Sequence, residues 1–229
     1  MNIGSALLPI GIIPALFILY FTLGGYEEKF QDKYIFLTFL GGIGMGTLVY
    51  ALEIWFLTPF QGAVLGVVDT MLLFPLFLSF FEHLAKLVVL NLPRFQKDEG
   101  VVLYGASLGL GFASVAGVIV TQQVDSLFSV EGGYRALLAV GMLLLSCATG
   151  MWLGVGVAMR RRMRYLGLAT LVGMVMWPLV LYRASPYAPA VAIVYGLLVY
   201  LYTRGGIRPY LLGRQALKEA YRQPWWRRL

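Results

Sequence analysis

The sequence predicts an all-α integral membrane protein, a polytopic bundle of about seven transmembrane helices with its N-terminus outside and its C-terminus inside. Three observations carry this. Of 229 residues, 59% are apolar and only 13% charged, with a mean hydropathy of +0.77. A soluble domain carries about a quarter charged residues, so too little polar surface remains here to coat a globule in water. The apolar residues run in long stretches rather than short periodic patches, and lysine and arginine gather on alternate loops.

The spans follow from asking where about twenty residues pass without a stranded charge. The first covers residues 3–25, with bends expected at Pro9 and Pro14; no basic residue precedes it, so it reads as a retained span rather than a signal peptide. A charged turn follows, with Glu27, Glu28, Lys29, Asp32 and Lys33. The second span covers 34–57. The third, 62–92, is too long for a perpendicular helix, which predicts tilt or a break at Pro75. The remaining spans cover 101–120, 134–158, 165–181 and 188–202. A bundle over residues 1–203 then gives way to a basic, aromatic cytoplasmic tail over 204–229.

Orientation follows from the cations, because basic loops resist translocation. With this span count, all but Arg135 and Arg183 of the 18 lysines and arginines fall on or near one side. That side is predicted to be the cytoplasm, and the membrane the cell (inner) membrane. The net charge of +7 therefore points to lipid rather than nucleic acid. Arg160, Arg161, Arg162 and Arg164, with Trp225, Trp226, Arg227 and Arg228 in the tail, are the expected contacts for anionic headgroups or for another membrane subunit. The single cysteine, Cys147, excludes an internal disulfide.

Glycine is abundant, at 27 residues, and Gly42 with Gly46, Gly105 with Gly109 and Gly150 with Gly154 form small-xxx-small pairs suited to close helix packing.

Ionisable groups at membrane depth are expensive and mark either function or a buried pair. Glu53 and Asp69 fall near the outer face and read as structural polar groups. Glu82 and Lys86, at i and i+4, share a helix face and can pair, with Lys86 reaching for the cytoplasmic interface. His83 points about a hundred degrees away from that face.

The stretch Phe80-Phe81-Glu82-His83-Leu84-Ala85-Lys86, followed by Leu103-Tyr104-Gly105-Ala106-Ser107-Leu108-Gly109-Leu110-Gly111-Phe112-Ala113, resembles the PrsW family over about residues 10–160. These are intramembrane proteases, held to be metal-dependent and related to the CAAX and bacteriocin-processing enzymes. The resemblance implies a Glu-Glu-x-x-Lys motif, which Glu82 and Lys86 match while His83 replaces the second glutamate. Ala116-Gly117 stands where the family has Glu-Asn, and about Leu145 where it has a histidine. Catalytic zinc needs about three protein ligands and an open position, and the inward-facing candidates are Glu82 and His83, unless Glu53 or Asp69 is brought in from the opposite leaflet. No metal or other cofactor is therefore expected. The leading expectation is a catalytically inactive PrsW-like protein serving as a scaffold or accessory subunit for a membrane partner or lipid. The alternatives are an active protease using Glu82, His83 and Lys86, with zinc on Glu82 and His83, and a transporter or channel.

Overall fold

A computed structural model of the chain describes residues 11–58, 69–96, 98–121, 129–181 and 187–211. Among these residues the regular structure is helical throughout: α1 (Ile13–Leu23), α2 (Asp32–Leu57), α3 (Phe74–Leu90), the short α4 (Pro93–Gln96), α5 (Val101–Thr121), α6 (Val130–Ala158), α7 (Arg162–Gly173), α8 (Met176–Leu181) and α9 (Ala188–Leu211). Among the described residues six stretches are long and apolar enough to cross a membrane: Asp32–Phe56, Met71–Leu90, Val101–Ile119, Val130–Ala158, Arg162–Val180 and Ala188–Ile207. The protein is thus a multi-pass helical membrane protein. α1 is apolar but shorter, and the first part of the span predicted there, with Pro9, lies outside the described residues.

Proline sets two irregularities. The chain enters the third span as a π-helical turn, Asp69–Leu73, and becomes α-helical at Phe74 with Pro75 in the first turn. Pro75 brings no N–H to the carbonyls one turn back, at Thr70 and Met71, and the winding changes in that turn. The span predicted as one helix over 165–181 is instead two, α7 and α8. Pro178 has no N–H for the Met174 carbonyl four residues back, and its ring crowds that carbonyl. Met174 accepts from the Trp177 amide at 3.3 Å, a tighter turn than the α-helical one.

α5 lies at the centre, with 89% of its span buried. It packs most extensively on α6, then on α2, while α9 closes the other side of α6. Small residues make these crossings close. Gly105 lies against the Gly150 backbone, Gly109 against the Ser146 carbonyl, and Gly154 against the Val101 carbonyl, where an added Cβ would sit 2.6 Å away. Gly46 meets α5 at Phe112, with its own Cβ position 2.9 Å from that carbonyl. Each of the three small-xxx-small pairs therefore sits at a crossing.

The basic turns gather at one end. The Gln31 amide side chain donates to Asp98 at 3.1 Å and its backbone N–H to the Tyr104 hydroxyl at 3.0 Å, while Arg162 donates to Gln96 at 2.9 Å. The turns carrying Lys29, Arg94 and the arginines 160–164 are thereby tied together. Arg135 lies in the opening turns of α6, at the far end, paired with Glu131. Arg183 and the tail residues Trp225, Trp226, Arg227 and Arg228 lie outside the described residues, and α9 continues as helix to Leu211, past the end expected at Tyr202.

α6 ends in a Schellman turn, in which the Arg160 amide bonds the Val157 carbonyl at 3.2 Å and the Arg161 amide the Gly156 carbonyl at 2.8 Å. The residue in the left-handed position is Arg160, at φ 57°, where glycine is the usual occupant. Arg160→Gly is expected to raise stability by about 1 kcal/mol, read as a higher unfolding midpoint of the detergent-solubilised protein. An unchanged or lower midpoint would show that the arginine side chain compensates its backbone.

Candidate functional site

α3 carries the polar cluster. Its helical spacing puts Ser79, Glu82, His83 and Lys86 within two turns, and the packing of α3 on α5, α6 and α7 turns them inward. Ser79, His83 and Lys86 are buried and Glu82 is nearly so.

Lys86 is the hub. Its ammonium donates to Glu82 Oε1 at 2.5 Å and to Ser146 Oγ on α6 at 2.6 Å, and it lies 4.7 Å from the centre of the Phe112 ring on α5. Ser146 in turn donates to the Gly109 carbonyl at 2.9 Å. A lysine stem that long was expected to carry its charge toward the interface; instead its side chain is 0% exposed. Three directions around the ammonium are taken by an anion, a hydroxyl and an aromatic face, so the charge is satisfied where it stands.

His83 faces differently, as its position on the helix predicts. Its Nδ1 lies 2.6 Å from the Ser79 carbonyl, which only accepts, so Nδ1 carries the proton of that bond. The Ser79 hydroxyl donates across to the Thr170 carbonyl of α7 at 2.9 Å. Gly173, at the end of α7, gives room for this ring: a Cβ there would sit 2.5 Å from His83 Cε1. His83 Nε2 is buried and has no hydrogen-bond partner among the described residues.

Glu53 of α2 is 6% exposed, and neither of its carboxyl oxygens has a hydrogen-bond partner among the described residues. It lies within electrostatic reach of Glu82 and Lys86. The stacking of Phe56 on Phe77, centroids 4.6 Å apart, shows how α2 and α3 bring this about. The π turn begins at Asp69, whose side chain lies outside the described residues.

A small cavity of about 20 Å³ opens between α2, α3, α6 and the α7–α8 break, lined among others by Tyr50, Glu82, His83, Thr149 and Trp177. Tyr50 is held there by ring contacts to Phe112, at 5.2 Å, and to Trp177, at 6.4 Å. Tyr50 and Ser146 are the members of this site that sequence reasoning missed. Ser146 lies on α6, and the side chain that engages it, Lys86, is 60 residues away in sequence.

The donor set does not suit catalytic zinc. The Glu82 carboxylate is committed to Lys86, and His83 offers a single nitrogen. Among the described residues no three His, Cys, Asp or Glu side chains gather closely enough to hold a metal ion.

Fold and site together define a multi-pass membrane protein with an ionisable cluster buried between its helices. Comparison with family models, curated proteins and solved structures finds no match to this chain.

Proposed function

We propose that this is a PrsW-like protein of the cell membrane whose hydrolytic site has been replaced by a closed polar network, and that it serves as a scaffold or accessory subunit holding a membrane partner or a lipid. In this reading the N-terminus is outside and the basic end of the bundle faces the cytoplasm. There Arg160, Arg161, Arg162 and Arg164 meet anionic headgroups, each contributing about 1 kcal/mol near a charged surface.

The observation that supports the reading is the Lys86 ammonium. Its partners are Glu82, Ser146 and the Phe112 ring, and the Ser146 proton is spent on the Gly109 carbonyl. A Ser–Lys contact works in hydrolysis when the lysine is free to take the hydroxyl proton. Here the Lys86 ammonium donates to both the Glu82 carboxylate and the Ser146 hydroxyl. The same contacts tie α3, α5 and α6 together, which is what a bundle kept for its shape requires.

The test is the metal content of the purified protein by elemental mass spectrometry, beside the Glu82→Ala/His83→Ala double variant. Neither sample is expected to carry stoichiometric metal. Near-stoichiometric zinc in the parent, lost in the double variant, would overturn the scaffold reading in favour of an active metal-dependent hydrolase.

A further inference from the structure

The cavity beside His83 has the size and the walls of a site. At about 20 Å³ it exceeds the roughly 10–15 Å³ that one water needs, and it is too small for any organic ligand. Such a water needs two to four polar partners. Of the polar side chains lining the cavity, Thr149 and Ser146 already spend their hydroxyl protons on the carbonyls of Leu145 and Gly109. Tyr50, Glu82 and His83 remain, with the indole N–H of Trp177 as a further donor.

These three complement one another. His83 is 1% exposed, its Nδ1–H is donated to Ser79, and its other nitrogen is a buried acceptor without a partner among the described residues. A carboxylate has four lone-pair sites, and Lys86 takes one on Oε1 of Glu82. Both line the cavity, and two acceptors cannot bond each other directly. They need a group with two hydrogens between them, and a phenol supplies a donor that such a group can accept. Leaving the imidazole nitrogen unmet forfeits the hydrogen bond it makes in water.

We propose that this cavity binds a single water molecule, which donates one hydrogen to His83 Nε2 and the other to the Glu82 carboxylate and accepts the Tyr50 hydroxyl. The water joins two networks that the protein atoms leave separate. The Thr170 carbonyl, Ser79 and His83 form one; Glu82, Lys86, Ser146 and the Gly109 carbonyl form the other. Joined, they run across the bundle from α7 through α3 to α6 and α5. This assignment goes beyond the scaffold reading and is tested apart from it.

The chain has one histidine, so protein labelled with ¹⁵N in the imidazole gives a single spin system. In lipid bilayers, solid-state NMR is expected to show a protonated Nδ1 and an unprotonated Nε2. The Nε2 signal should be shifted upfield, as an acceptor's is, and should have a cross-peak to water protons. An Nε2 at the position of a bare acceptor, a protonated Nε2, or a shifted Nε2 without the water cross-peak would each overturn the proposal. Tyr50→Phe keeps the ring and removes the phenol. The upfield shift is expected to survive it, since the water keeps its two acceptors. Loss of the shift in that variant would mean that Tyr50 bonds His83 directly, with no water between them.

Discussion

Lys86→Ala is expected to lower the stability of the bundle by about 3–5 kcal/mol, the range for removing one partner of a buried ion pair. The reason is the carboxylate left behind. Glu82 is 13% exposed, and its hydrogen-bonded counter-ion is Lys86, at 2.5 Å. Ser146 loses a donor as well, though its own bond to Gly109 remains. The measurement is the unfolding midpoint of the protein in bicelles, titrated with a denaturing detergent. Removing both charges together, as Glu82→Gln/Lys86→Met, is expected to return most of the loss, because a neutral pair of similar volume carries no stranded ion. A loss below about 1 kcal/mol in the single variant is what an exposed pair gives. That result would mean that bulk solvent screens Glu82 and Lys86, and the closed network would then be the wrong description.

The second large effect belongs to the crossing of α5 and α6. Gly105 and Gly150 each present the bare backbone to the other's carbonyl, and no flexible side chain stands between them to yield. Gly150→Ala is expected to cost at least the upper part of the about 1–3 kcal/mol typical of overpacking, and Gly150→Leu to prevent assembly of the bundle. The controls lie on α2, where Gly41 and Gly44 have nothing within 4 Å of the Cβ position. Alanine there is expected to be neutral or to stabilise by about 0.5–1 kcal/mol, the helix-interior difference between the two residues. Folded yield by size-exclusion chromatography separates these outcomes, and equal tolerance at Gly41 and Gly150 would remove the close crossing from the account.

The positions of the six spans from α2 to α9 were legible in the sequence because they depend on local composition. So was the irregularity at Pro75, since a proline acts on its own turn. The pairing of Glu82 with Lys86 followed from helical spacing alone. Ser146 was different: its contact with Lys86 depends on how α3 and α6 are rotated against each other, and no local pattern encodes that rotation. Glu53 was placed near the outer face from its position late in the second span. The packing of α2 on α3, where Phe56 stacks on Phe77, brings it within electrostatic reach of Glu82 and Lys86. Pro178 was as visible as Pro75, yet the span around it read as unbroken because its hydropathy never falls.

The central place of α5 also bears on the order in which the chain can be assembled. During synthesis α5 enters the membrane before α6 exists. α2 is already present, so one flank of α5 closes at once through Gly42 and Gly46. The other flank, with Gly105 and Gly109, waits in lipid until residues 130–158 follow. No hydrophobic force drives that late closure, because lipid tails solvate an apolar flank as well as another helix does. A ribosome that stalls between the two helices therefore leaves a half-built bundle, with the Gly105 and Gly109 backbone facing lipid.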